Sequence, residues 1–205
     1  MRYPAPLFAT ILPLAFASSS FAQVSDIEFG KRLSSSAIER THHSVTYDPA
    51  YARLDYPNGD VAPDKGVCAD VVIRALRTLD IDLQKLIHED MKANFDAYPQ
   101  RWGLKRTDRN IDHRRVPNIE AYLSRHGMRL SPSENPSDYQ AGDIVAWNLS
   151  GHGRGWMPHI GIVTDQKARD GTPLIVHNIG AGPQLESVLF NWPITGRYRP
   201  KRSQF

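Results

Sequence analysis

Residues 142–178 carry the pattern that decides the fold, and they read GDIVAWNLSGHGRGWMPHIGIVTDQKARDGTPLIVHN. The apolar runs at 143–147, 159–163 and 174–177 are short, and turn-forming residues separate them. Runs of this length predict buried strands rather than helices. Asp170-Gly171 lies between the last two runs and predicts a turn, so we expect these two strands to form an antiparallel hairpin.

In the part of the sequence before this stretch, the apolar residues have a different spacing. After Cys68, apolar residues recur at i, i+4 and i+8, as Val71, Ala75 and Leu79 do. This spacing places them on one buried face of a helix. Gly66 breaks the chain just before, so the helix is expected to begin at Cys68.

Further elements complete the layout. Helices are predicted over 26–40, over 82–95, and over a short segment that Asn118 caps and Gly127 ends. A last strand is predicted over 192–198. Helices that come first in the chain and antiparallel strands that follow are the layout of an α+β domain.

Length and composition fit one globular domain. The chain has 205 residues, of which 40% are hydrophobic and 23% charged, with a formal net charge of +3. This charge is small, and no dense stripe of lysine and arginine with interleaved aromatic residues is present in the sequence. Nucleic acid is therefore not an expected partner.

The first residues have the features of a secretory signal peptide. Arg2 supplies a positive charge, residues 7–16 are apolar, and small residues precede a cleavage site expected after Ala22. The mature domain is then 23–205, and it is expected to be periplasmic or secreted. The residue directly after the cleavage site is Gln23 rather than a cysteine, so no lipid anchor in the membrane is expected.

Cys68 is the only cysteine in the sequence. Disulfides form readily outside the cytoplasm, but one cysteine cannot form a disulfide within its own chain. By count alone, an inert buried thiol remains an open alternative. The position at a helix start favours a nucleophile, because unpaired backbone N–H groups there stabilise a thiolate and are expected to lower its pKa.

Two histidines follow on the predicted hairpin. His159 stands at the start of a strand and is the candidate base that takes the thiol proton. His177 lies on the neighbouring strand and is the candidate third residue, which orients the base through its other ring nitrogen. Asn178 points to the opposite strand face and is the alternative third residue. Each histidine taken alone is also consistent with a structural role.

Four motifs in a fixed order resemble the NlpC/P60-type papain-like cysteine peptidases. In that family a cysteine helix start is followed by a Gly-Asp strand, a strand opening with His, and a strand ending in His. The corresponding segments here are Gly66–Asp70, Ala141–Val145, Pro158–Val163 and Leu174–Asn178. The resemblance implies a papain-like fold, in which the nucleophile helix packs on an antiparallel sheet.

Within that group, the chain is identified as a member of the DUF1287 family. The segments that carry this are Tyr47–Tyr51, Leu54–Asp60, Asp108–Pro117 and His177–Gly182. The resemblance implies that Cys68 is the nucleophile, His159 the base and His177 the orienting residue. With export, it also implies a peptide substrate in the cell envelope, the stem peptides of peptidoglycan.

Further site residues are expected outside the triad. The resemblance makes Tyr47 a candidate for stabilising the oxyanion, since relatives use a tyrosine before the cysteine, and a turn-packing role remains the alternative. A charged cluster is a candidate clamp for a substrate carboxylate, with a self-contained salt-bridged loop as the alternative. The candidates in that cluster are Arg109, His113, Arg114 and Arg115. Residues 92–137 have no counterpart in a minimal NlpC/P60 domain and are interpreted as an insertion.

No cofactor or metal is expected. The eight histidines lack compact zinc-ligand spacing, and no HExxH motif occurs. The preferred function is amide hydrolysis through a thioester. An acyltransferase or transamidase of the same fold and a non-catalytic envelope-binding module remain alternatives, and the oligomeric state is left open.

Overall fold

The fold was analysed in a computed structural model that describes residues 17–153 and 155–205. The apolar run 7–16 of the predicted signal peptide lies outside these residues, as does Arg154. No helix in the described part of the chain is both long and apolar enough to cross a membrane.

Four α-helices lie in the described residues. They are α1 (Ala17–Arg40), α2 (Cys68–Arg77), α3 (Leu83–Ala93) and α4 (Val116–Arg125). The predicted helix start at Cys68 is confirmed. Helix α3 begins after Asp82, whose carboxylate accepts a hydrogen bond from the N–H of Gln84 at 3.0 Å. Such a cap satisfies one of the unpaired N–H groups at a helix start.

The start predicted for the fourth helix was wrong. Asn118 does not cap it, because α4 begins two residues earlier, at Val116, with Pro117 in its first turn. The Asn118 side chain lies inside that turn and donates to the carbonyl of Asp112 at 3.0 Å. Proline needs no N–H partner at this position, which favours the earlier start.

Eight strands form two sheets in the same residues. The strands are β1 (Thr46–Tyr47), β2 (Lys65–Gly66), β3 (Arg129–Leu130), β4 (Ile144–Asn148), β5 (Pro158–Lys167), β6 (Pro173–His177), β7 (Gln184–Glu186) and β8 (Ile194–Tyr198). Strands β1 and β2 pair in parallel, and the other six form a sheet in the order β3-β8-β4-β5-β6-β7. All pairs in the larger sheet are antiparallel, which confirms the α+β prediction.

The β5–β6 hairpin is present as predicted. Its register sets Gly161 opposite His177 and Val163 opposite Ile175. A Cβ atom on Gly161 would lie 2.8 Å from a methyl carbon of Ile175 and 3.1 Å from the Cβ of His177. Glycine at this position therefore permits the close approach of the two strands that carry the histidines.

The sheet has apolar side chains on both faces, in the alternation expected of strands. On one face, Ile160 and Ile162 of β5 join the helices, including Leu76 of α2, in the main core. On the other face, Val163 packs with Trp147 in a second buried cluster. Helix α2 lies against β5, so Cys68 is brought to the strand that carries His159.

The segment 92–137 is built into the core. Its helix α4 buries Ile119 and Leu123 completely. Just before α4, the guanidinium of Arg114 donates two hydrogen bonds of 2.9 Å to the carboxylate of Asp70, in the first turn of α2. The two side chains are 2% and 4% exposed, so this is a buried ion pair.

Replacement of Arg114 by methionine tests how much this ion pair stabilises the fold. The Asp70 carboxylate would stay buried without its cation, and we expect the free energy of unfolding to fall by about 3–5 kcal/mol. Urea denaturation measures the change. The control is Lys85→Met, which breaks an exposed pair with Glu89 and should leave stability unchanged. An equally small effect of both variants would contradict a structural role for Arg114.

Candidate active site

Cys68 is the first residue of α2 and is 5% exposed. Burial raises the pKa of its thiol to about 11, although the backbone N–H groups of Ile160, Ala69 and Cys68 itself act to lower it. The expectation that the helix start would lower this pKa was therefore wrong, because removal from water outweighs the N–H groups. The resting site holds a neutral thiol.

His159 and His177 are joined by a hydrogen bond. The Nε2 atom of His159 lies 2.7 Å from the Nδ1 atom of His177, and the residues are 2% and 1% exposed. Burial, with a smaller contribution from the charge of His177, lowers the pKa of His159 to about 3. The Cys68 thiol contacts the N–H of Ile160, which directly follows His159. The structure thus brings His159 and His177 together, while the Cys68 thiol meets the backbone of Ile160, whose side chain lies on the opposite face of β5 from that of His159.

Two tryptophans enclose the histidines. The Trp147 ring centroid lies 5.9 Å from that of His159, and the Trp192 centroid lies 6.3 Å from both histidine rings. Trp147 is completely buried and donates its indole N–H to the carbonyl of Leu189 at 2.9 Å. Both imidazoles are buried, and this burial lowers their pKa values and favours their neutral forms.

Glu186 is a site residue that sequence reasoning missed. Its Oε2 atom lies 2.8 Å from Nε2 of His177, and its side chain is 45% exposed. Strand β7 has only three residues, too few for a recognisable strand pattern. The available signal was the polar–apolar–polar order Gln184-Leu185-Glu186 after the Gly182-Pro183 break.

Tyr47 lies close to the nucleophile because β1 pairs with β2. In that pair Tyr47 is opposite Gly66, two residues before Cys68. Burial, together with the nearby Cys68 charge, raises the pKa of Tyr47 to about 12. Its hydroxyl therefore stays protonated at neutral pH and can donate a hydrogen bond.

Asn178, the alternative third residue, lies apart from the imidazole contact. Its Oδ1 atom accepts from the N–H of Gly180 at 3.0 Å, and its Nδ2 atom lies 3.5 Å from the carbonyl oxygen of Gly66. The side chain therefore links the end of β6 to the segment before Cys68, while His177 contacts the base.

The predicted carboxylate clamp is not a free cationic cluster. Arg114 is committed to Asp70, and His113 is 2% exposed, with its pKa lowered to about 4 mainly by burial. Arg115 forms an ion pair with Asp112 in the same segment. The Arg109 guanidinium lies 5.7 Å from the ring centroid of Tyr56. Two of the four candidates are thus inside the protein.

An open groove adjoins the site. It has a volume of about 840 Å³, and its wall includes Trp192, whose ring centroid lies 6.3 Å from those of both catalytic histidines, although neither of these histidines nor Cys68 lines it. Phe190, Pro193 and Ile194 give the wall an apolar character, and His152 lies at its edge. Grooves with apolar walls and a few polar groups are typical of ligand sites.

Metal chemistry has no evident ligand set. In residues 17–153 and 155–205, no group of three or more His, Cys, Asp or Glu side chains is arranged to hold an ion.

Comparison with known proteins yields a family match, one relative and one similar solved structure. Residues 34–200 match the profile of the family described as "Domain of unknown function (DUF1287)". The "Uncharacterized protein YijF" of Escherichia coli (strain K12) is 62% identical over 156 residues, which are 76% of this chain and 74% of that protein. The structure of NlpC1 from Trichomonas vaginalis is matched at 15% identity with a TM-score of 0.46, over 83% of this chain. The chain spans 44% of the length of that solved protein.

The raised pKa of Cys68 predicts the pH dependence of its alkylation. Only the thiolate reacts with iodoacetamide, so the rate in the folded protein should rise about tenfold per pH unit from 7 to 9.5. In the urea-unfolded chain the rate should level off above about pH 8.5, the ordinary thiol pKa. Mass spectrometry of the labelled protein follows both reactions. A plateau below pH 8 in the folded protein would show a stabilised thiolate and contradict the prediction.

The lowered pKa of His159 predicts loss of stability in acid. Its ordinary pKa is 6.5, and in the folded protein it is about 3. The unfolded chain therefore binds the proton first as pH falls. The stability that the neutral imidazole contributes is full above about pH 6.5 and is lost progressively towards pH 3. We expect a loss of about 1 kcal/mol between pH 6.5 and 5.5, and about 1.4 kcal/mol per further unit.

Urea unfolding at several pH values isolates this effect. His159→Gln should flatten the dependence by that amount, whereas His42→Gln, at an exposed position, should leave it unchanged. Parallel curves for His159→Gln and the wild type would show that His159 is not buried in the neutral form.

Proposed function

The chain belongs to the DUF1287 family, and we propose that it is an exported cysteine amidase or peptidase acting through Cys68, His159 and His177. One observation carries the proposal. The two histidines form a buried 2.7 Å hydrogen bond, and the Cys68 thiol contacts the backbone N–H of Ile160, the residue next to His159. A nucleophile, a base and an orienting group in this arrangement support acyl-transfer chemistry.

The first step starts from a neutral pair. His159 takes the proton of the Cys68 thiol as the sulfur attacks the carbonyl carbon of an amide substrate. The carbonyl oxygen becomes an oxyanion. The backbone N–H groups of Cys68 and Ala69 at the helix start and the hydroxyl of Tyr47 are the proposed donors to it.

The second half releases the two products. The His159 imidazolium gives its proton to the leaving nitrogen, the C–N bond breaks, and a thioester remains on Cys68. A water molecule then attacks the thioester while His159 takes its proton. The C–S bond breaks, the proton returns to the sulfur, and the carboxylic acid leaves.

The substrate that we propose is a peptide of the cell envelope, the stem peptides of peptidoglycan. The support is the expected signal peptide, together with the open groove of about 840 Å³ beside Trp192. The groove has apolar walls of the kind that bind ligands, and its lining includes Trp192, whose ring centroid lies 6.3 Å from those of both histidines. On this proposal the protein works in the periplasm or outside the cell.

Acyl transfer to an amine is a second candidate. The observation that favours it is the exclusion of water, since the two histidines are 1–2% exposed and Cys68 is 5% exposed. A thioester formed in so dry a site survives longer against water and can react with an amine acceptor instead.

Incubation with purified peptidoglycan tests the proposed function. Mature wild-type protein should release fragments that mass analysis detects, and Cys68→Ala and His159→Gln should release none above background. His42→Gln is the matched histidine control and should retain activity. Equal release by wild type and Cys68→Ala would exclude Cys68 as the nucleophile.

Solvent labelling separates hydrolysis from transfer. In water enriched in ¹⁸O, hydrolysis places one labelled oxygen in the new carboxyl group. Transfer to an added amine such as glycine amide instead gives a product joined by a new amide bond. A dominant transfer product would replace the amidase proposal by the transferase.

A further inference from the structure

Three polar groups lie in a row at the end of the β5–β6–β7 sheet. His159 Nε2 is 2.7 Å from His177 Nδ1, and His177 Nε2 is 2.8 Å from Oε2 of Glu186. A neutral imidazole carries a proton on one ring nitrogen and a lone pair on the other. Which nitrogen carries the proton is decided by the hydrogen-bond partners.

The carboxylate at the end of this row fixes the direction of both bonds. A carboxylate only accepts hydrogen bonds, so the Nε2 atom of His177 must carry its proton. The Nδ1 atom of His177 is then a lone pair and must accept from Nε2–H of His159. This leaves the lone pair of His159 on Nδ1.

We propose that Glu186 is a positioning residue, which sets the tautomer of both histidines and so makes Nδ1 of His159 the basic nitrogen. This extends the proposed function, since the base of that mechanism needs its lone pair on the ring nitrogen that is not bonded to His177. Glu186 acts through His177 and does not contact the thiol or the substrate.

The surroundings leave few competitors for this role. The histidines are almost fully buried, so water does not average their tautomers. The indole N–H of Trp147, whose ring lies beside His159, is engaged by the carbonyl of Leu189. Among the described residues, the hydrogen bonds of the His177 ring are those to His159 and Glu186.

The position of Glu186 also suits the charge that develops in the reaction. When His159 accepts the thiol proton, its positive charge lies in a site enclosed by aromatic rings. The carboxylate is linked to that charge through His177 and stabilises it. The Glu186 side chain is 45% exposed, so its carboxylate keeps part of its hydration. The free energy lost by desolvating this charge is therefore small.

Nitrogen-15 NMR of histidine-labelled protein at neutral pH reads the tautomers directly, because protonated and unprotonated ring nitrogens resonate far apart. Wild type should show Nε2–H and an unprotonated Nδ1 at both His159 and His177. Glu186→Leu removes the acceptor, and the Nδ1–H form should appear at both rings. Glu186→Gln keeps an acceptor oxygen and should retain the wild-type pattern in large part.

A same-strand control separates this effect from damage to β7. Gln184 is exposed two residues before Glu186, and Gln184→Leu should leave both tautomers unchanged. Where hydrolysis is measurable, Glu186→Leu should lower kcat by roughly tenfold or more at similar KM, with partial recovery in Glu186→Gln. A purely structural role would not produce a tautomer change reversed by the isosteric amide.

The NMR result decides the proposal independently of hydrolysis. Unchanged tautomers in Glu186→Leu, or Nδ1–H on His159 in the wild type, would overturn it. If Glu186→Leu changes the tautomers while the wild-type protein hydrolyses nothing, the role of Glu186 is upheld and the amidase function is rejected.

Discussion

One buried carboxylate, that of Asp70, holds together the segments that build the site. It accepts the N–H of Val67 at 2.6 Å and so closes the first turn of α2. It also binds Arg114, whose guanidinium reaches the carbonyl oxygens of Asp48 and Ala50 at 3.4 Å, directly after the strand of Tyr47. The Asp70–Arg114 ion pair therefore links the start of α2, the residues after β1 and the 92–137 segment. Removal of either charge would leave the other buried and uncompensated.

The same burial sets the chemistry of the resting state. A thiol pKa of about 11 and an imidazole pKa of about 3 place Cys68 and His159 in their neutral forms across the physiological range. The Asp70 charge adds to this by further raising the thiol pKa. In the proposed mechanism, the thiol would therefore lose its proton during attack, because a preformed thiolate–imidazolium pair is disfavoured in an apolar enclosure.

The sequence was sufficient for the features that repeat over several residues. The helix after Cys68 and the strands around Trp147, His159 and His177 follow from hydrophobic period, and the family assignment followed from the order of the motifs. Arg114 and Asp70 are 44 residues apart in the sequence, and no local sequence pattern predicts a contact over that separation. The thiol pKa depends on burial, which only the packed structure defines. Strand β7, with Glu186, is too short to show a period at all.

The register of the β5–β6 hairpin has a consequence for how this family can change. His177 and Asn178 are adjacent, and neighbouring residues on a strand face opposite sides. With Gly161 opposite His177, His177 meets His159 and Asn178 meets the carbonyl of Gly66 in β2. Loss or gain of one residue in the turn at 168–172 would exchange the two faces. The length of this surface turn thus determines which of the two side chains faces His159.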